Sequence, residues 1–85
     1  MKYRLVYTHR AARDINGLEA KVQKRIGKAL KRYVEEPLQY ASKLTDAALG
    51  TYRFRIGDYR VVFDIEDENI VVLRVGHRRD IYRRL

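Results

Sequence analysis

The chain has 85 residues, enough for one domain spanning residues 1–85 and one modest core, since a domain this small buries only roughly 60–65% of its unfolded surface. Hydrophobic residues make up 46% of it, which excludes a globally disordered chain, and the lack of cysteine excludes a disulfide scaffold, a thiolate metal site and a cysteine nucleophile. Nineteen Lys and Arg against eleven Asp and Glu leave a net charge of +8, which favours a polyanionic partner without saying which one.

In chain order, residues 2–7 alternate, with Tyr3, Leu5 and Tyr7 on one side, and predict a strand. The opening Met1-Lys2-Tyr3-Arg4 has no apolar stretch of the signal-peptide kind, and no run reaches transmembrane length, so a cytoplasmic protein with no membrane partner is expected. Thr8 is placed to cap a short helix ending near Asn16, with Ala11, Ala12 and Ile15 facing inward. After the Asn16-Gly17 break, Leu18, Val22, Ile26, Ala29, Leu30 and Tyr33 recur every three or four residues, predicting a helix from about Leu18 to Glu36 that Pro37 ends. Its other side carries Lys21, Lys24, Arg25, Lys28, Lys31 and Arg32, a row whose plainest reading is a solvated face.

Residues 37–50 read as irregular, with Leu38, Tyr40 and Leu44 as plugs into the core. From Thr51 the period changes to two. Tyr52, Phe54 and Ile56 take one face, while Arg53 and Arg55 take the other. Gly57-Asp58 is a two-residue hairpin signal, with glycine supplying the positive φ of a type II′ turn. Tyr59, Val61, Phe63 and Ile65 face inward on the next strand, the acid-rich turn Glu66-Asp67-Glu68-Asn69 follows, and Ile70 to Val75 suits a central strand. The order β-α-α-β-β-β predicts an α+β domain. Two helices lie on one face of a mainly antiparallel four-stranded sheet, and the other face is left free.

With Gly57-Asp58 as the loop, Ile56 faces Tyr59 and Arg55 faces Arg60, with Arg53 about 7 Å along from Arg55 on the same side. Like charges directly opposite in a sheet repel, so a fold alone gives little reason for this placement, whereas a bound phosphate relieves it. The guanidinium fork matches two phosphate oxygens and keeps its charge. The bland alternative is that Arg53 and Arg60 extend into water or pair with Asp64. The tail adds His77 and Arg78, with Tyr82 one helical turn beyond, while Arg79, Arg83 and Arg84 read on pattern as a solvated terminus. RNA cleavage by a neighbouring 2′-OH needs no metal: positioned arginines stabilise the charge gathered on the phosphate oxygens, and other groups move the protons. Of the two histidines, His9 reads as surface and His77 as the better placed for a direct role. No metal-ligand spacing or nucleotide-binding fingerprint appears, and no cofactor is expected.

The stretch Tyr52-Arg53-Phe54-Arg55-Ile56-Gly57-Asp58-Tyr59-Arg60-Val61-Val62-Phe63, followed by Val72-Leu73-Arg74-Val75-Gly76-His77-Arg78-Arg79-Asp80-Ile81-Tyr82, resembles the RelE branch of the RelE/ParE toxin superfamily over nearly the whole chain. The resemblance implies the toxin of a type II toxin–antitoxin pair, an endoribonuclease (mRNA interferase) that enters the ribosomal A site, cuts mRNA by metal-independent 2′-OH attack and is wrapped by a RelB-like antitoxin. It matches Arg60, Arg78, Tyr82 and Arg55 to catalytic positions. Arg53 and Arg55, joined by His77 and Arg79, make the RNA-binding set. Some members carry lysines at the positions of Arg53 and Arg55; arginine does not lose its proton, so neither serves as the base here, which leaves Tyr82, His77 or a ribosomal group. Two other readings compete: a ParE-like toxin, sharing the fold and the antitoxin logic, that binds gyrase and cleaves nothing, and a non-catalytic RNA- or ribosome-binding module; the arginine cluster with Arg78 and Tyr82 argues for RNA over gyrase.

Overall fold

The computed structural model describes residues 3–45 and 50–81. Strand β1 (Arg4–Tyr7) leads into helix α1 (His9–Asn16) and helix α2 (Ala20–Tyr33). The single turn α3 (Pro37–Tyr40) and strands β2 (Ala41–Lys43), β3 (Tyr52–Ile56), β4 (Tyr59–Glu66) and β5 (Asn69–His77) follow. The sheet runs β1-β5-β4-β3-β2, antiparallel except where β1 lies parallel to β5. The α+β architecture is as expected, with five strands where four were expected. The extra strand comes from the segment read as irregular. Pro37, buried at the first position of α3, starts a turn that delivers Ala41–Lys43 antiparallel to Tyr52–Phe54.

Local chemistry sets the element ends. Thr8 Oγ1 accepts from the Ala11 N–H (3.1 Å), capping α1, and donates to the Leu73 carbonyl (3.2 Å), so one hydroxyl ties α1 to β5. Gln23 Nε2 donates to the carbonyls of Ile15 and Leu18 (2.8 and 3.0 Å), satisfying backbone groups that the end of α1 leaves open. Helix α2 is tighter than the periodic pattern, since Leu18 lies outside it and residues after Tyr33 turn away.

Both helices pack on the sheet face that carries Phe54, Ile56, Val61, Phe63, Ile70, Val72 and Val75; Ala11, Ile26 and Leu30 are their buried contributions. An aromatic run crosses this layer, Tyr40–Tyr33–Phe54–Phe63, with ring centroids 4.4, 4.9 and 4.2 Å apart. Two inward assignments fail. Ala12 is exposed because only the Ala11 side of α1 meets the sheet. Leu38 is 59% exposed because Pro37 and Tyr40 take the inward positions of the single turn α3. Tyr7, 42% exposed, sits at the end of an edge strand. Tyr40 and Leu44 do pack inward.

The opposite sheet face is only partly free. Val62 is fully buried there under Ile81, with Leu44 and Leu73 beside it, because the chain turns back after β5. Gly50 is pressed against the same spot: a Cβ there would lie 2.6 Å from Val62 Cγ1. What stays open on this face is the end towards the Gly57-Asp58 turn. No helix among the described residues is long and apolar enough to cross a membrane.

Candidate functional site: a basic hairpin end

The register is the one the turn residues specify: Ile56 opposes Tyr59 and Arg55 opposes Arg60, with Gly57 at φ +60°. Arg60 Nη1 donates to the carbonyls of both Gly57 and Tyr59, each at 2.9 Å. These bonds fold the guanidinium back over the turn and consume one nitrogen. The Nε–H and Nη2 edge, the bidentate one, has no protein partner among the described residues and is left for a ligand.

Strand β5 brings the second arginine. Gly76 pairs with Arg60, and one step past the strand the Arg78 N–H donates to the Asp58 carbonyl at 2.7 Å. Its side chain then lies beside the same residue, Nε 3.6 Å from Asp58 Oδ1, with both side chains more than half exposed. An ion pair this wet holds weakly, so a phosphate can displace it. A third guanidinium arrives from α2: a Cβ on Gly57 would sit 2.5 Å from Arg25 Nη2, so Arg25 lies flat against the glycine. Arg25 and Arg55 also border a cleft of about 390 Å³ with Lys28, Arg32 and Gly57. Arg25, Arg60 and Arg78 thus surround one turn, with Arg55 directly opposite Arg60 and Asp58 the acid beside Arg78.

The remaining sequence candidates fall elsewhere. Arg53 pairs with Ser42 and Val62, further down β3 and half-buried. His77 opposes Tyr59, so it belongs to the helix-bearing face, across the sheet from Arg60; the two rings meet edge-on at 5.5 Å. The Arg79 N–H donates to His77 Nδ1 (3.1 Å), which makes Nδ1 an acceptor and puts the proton of the neutral ring on Nε2. Arg79 itself is exposed, as is His9. Tyr82 lies outside the described residues. Sequence reasoning missed Arg25 as a member of the site. It stood in the cationic row of α2, and nothing in a helix's own periodicity says which cation meets a glycine on a hairpin. It also missed Asp14, whose carboxylate takes Arg74 Nε (2.8 Å), Arg74 Nη2 (3.3 Å) and the Val75 N–H (3.0 Å), fixing the end of β5.

Comparison with known proteins decides the family. A family model described as the ParE toxin of type II toxin–antitoxin systems matches residues 5–82. The chain belongs to this toxin family. It is 37% identical to toxin RelG of Mycobacterium tuberculosis over 87 residues, covering 99% of this chain and 100% of that protein. The fold matches the crystal structure of the toxin–antitoxin complex RelBE2 from Mycobacterium tuberculosis with a TM-score of 0.81 and 31% identity, over 92% of this chain and 100% of the other. The archaeal RelE–RelB complex from Pyrococcus horikoshii matches with a TM-score of 0.73 at 24% identity, over 94% of this chain and 99% of its counterpart. This RelE/ParE-type chain is therefore a toxin of a type II toxin–antitoxin system, and its relatives carry RelE-type names.

Proposed function

We propose that the toxin is a ribosome-associated endoribonuclease that cuts mRNA in the A site and is neutralised by a RelB-like antitoxin. The observation that carries this reading is the gathering of Arg25, Arg60 and Arg78 on one turn, with the bidentate edge of Arg60 fixed in place and open. In the reaction the 2′-oxygen bonds to phosphorus and the bond to the 5′-oxygen breaks, leaving a 2′,3′-cyclic phosphate and a 5′-hydroxyl. Negative charge builds on the non-bridging oxygens as this happens. Arg60 receives that charge with two parallel N–H bonds, and Arg78 leaves Asp58 to meet the departing oxygen. Arg55 and Arg25 hold the flanking phosphates, with Arg53 and Arg79 further out along the strand of RNA. The 2′-OH proton goes to Tyr82 or to a ribosomal group, since the arginines keep their protons and His77 faces the other side of the sheet; the departing 5′-oxygen, its charge met by Arg78, takes its proton from water and becomes the 5′-hydroxyl.

A RelB-like partner is supported by the RelBE complexes among the structural relatives and by the charge of +8, which an acidic antitoxin would neutralise. The reading places the toxin in the cytoplasm, where ribosomes are. The test is purified toxin added to translating ribosomes programmed with a defined mRNA. The expected result is cleavage inside the A-site codon with a cyclic phosphate on the upstream fragment, insensitive to EDTA at a magnesium level that keeps ribosomes intact. Intact mRNA would sink the proposal. Because the matching family model is described as ParE, a second reading, inhibition of DNA gyrase without cleavage, is checked in parallel: blocked supercoiling beside uncut mRNA would decide for it.

A further inference from the structure

Strand β5 has an edge that the sheet does not use. Strand β1 pairs with β5 only as far as Tyr7 opposite Val72, because Thr8 turns the chain into α1. Residues beyond Val72 therefore present one side of their backbone to a cleft of about 500 Å³ bordered by Leu18, Tyr59, His77, Asp80 and Ile81. That volume is within the range of small-molecule sites.

The hydrogen bonds show which groups face it. The Val75 N–H points outward, to Asp14, and the Arg78 N–H points inward, to Asp58. Strand alternation then turns the Val75 carbonyl and the His77 N–H outward as well. The His77 carbonyl is taken by the N–H groups of Asp80 and Ile81, at 2.9 and 3.0 Å. Between the Asp14 contact and that turn, one carbonyl and one N–H remain, two residues apart on the same edge, with no partner among the described residues. Val75 is 3% exposed, so its carbonyl sits in a recess and not on open surface, where an unmet acceptor is costly.

We propose that this edge is a nucleobase site: it takes one unpaired, amino-bearing base of RNA next to the phosphate held by Arg78 and Arg60. The inference rests on the RNA reading above and names what selects the bound nucleotide. A C=O and the N–H two residues on can reach neighbouring donor and acceptor atoms on one edge of a base, the way proteins read unstacked bases. Leu18 supplies an apolar flank and the Tyr59 and His77 rings an aromatic one. A carboxylate offers about four acceptor positions, and three on Asp14 are used. The fourth, on Oδ1, is unused among the described residues; Asp14 lines the same cleft as Val75, so this position suits an amino proton of adenine, cytosine or guanine. Uracil has no amino group and turns a carbonyl oxygen towards the carboxylate. A peptide strand fits worse, because Asp14 on one side and the turn after His77 on the other leave just two groups to bond.

The probe is the set of nucleoside 5′-monophosphates, with ribose 5-phosphate as the base-free control, followed by amide NMR on the isotope-labelled toxin. AMP, CMP and GMP are expected to move the His77 amide resonance downfield saturably, UMP to bind at least fivefold more weakly, and ribose 5-phosphate to move Arg60 and Arg78 resonances but leave the His77 amide in place. His77→Pro removes the outward N–H without touching the ladder, a position where proline is tolerated. It is expected to lose the base preference, whereas His77→Ala, which keeps the amide, retains it. The proposal is overturned if no nucleotide moves the His77 amide, if ribose 5-phosphate moves it as far as AMP does, if UMP binds as well as the others, or if an antitoxin peptide pairs with the edge as an added strand. A toxin that cuts mRNA with a silent His77 amide loses this site and keeps its activity assignment. A responsive amide in a toxin that cuts nothing does the reverse.

Discussion

Replacing Arg60 by alanine separates phosphate chemistry from folding, because the two jobs of this side chain use different nitrogens. Nη1 is spent on the carbonyls of Gly57 and Tyr59, both in or beside an exposed turn where water can take over those bonds. Their loss is expected to lower stability by no more than about 0.5–1 kcal/mol. The other edge, Nε and Nη2, would make two charge-assisted bonds to the transition-state phosphate. A hydrogen bond to a charged group contributes about 1.5–3 kcal/mol. The turn is open to solvent, so the lower half of the range for the pair as a unit is appropriate, giving a rate loss of roughly 10- to 50-fold. Single-turnover cleavage on programmed ribosomes, with urea denaturation on the same preparations, reads both quantities. Arg60→Lys sharpens the test. It restores the charge but not the fork, and its three N–H groups must serve both the carbonyls and the phosphate, so less than a third of the lost activation free energy should return. A cleavage rate for Arg60→Ala within threefold of the unaltered toxin, at unchanged urea midpoint, would refute the role assigned to that open edge.

Two further substitutions probe the scaffold. Asp14→Ala strips the acceptor from Arg74 and from the Val75 N–H; with side-chain exposures of 16% and 18% the pair is mostly shielded, so a loss of about 2–3 kcal/mol is expected. That corresponds to a melting temperature lower by roughly 10–20 °C in a domain of this size, and calorimetry showing less than 3 °C would contradict it. Gly57→Ala forces a side chain into positive φ and onto Arg25, with an expected cost of about 1–2 kcal/mol from the backbone. Arg25 can swing clear, so its contribution shows instead as weaker RNA binding and a shallower salt dependence of that binding.

Much of this toxin is written in local pattern. The two-residue period of Tyr52–Ile65, broken by Gly57-Asp58, specifies the hairpin and puts Arg55 opposite Arg60, because strand alternation and turn geometry leave one register in which the apolar face is continuous. Thr8 and Pro37 mark helix starts through side-chain and ring chemistry that acts within a few residues. Those rules stop where contacts cross the chain. The row Lys21–Arg32 gives no sign that Arg25 is the cation that reaches Gly57, because that depends on the angle at which α2 crosses the hairpin. The brief strand Ala41–Lys43 has too few residues for periodicity to show, and it exists because β3 offers an edge to pair with. Likewise, which face His77 takes follows from the extra residue, Leu73, that β5 carries opposite Val62 and Phe63. Sequence alone determined the elements other than the short strand Ala41–Lys43, the hairpin register and the charge to be gathered. The tertiary packing decided which arginines share a turn and which strand edge stays open, because both follow from how distant segments are brought against each other and not from the order of residues within any one of them.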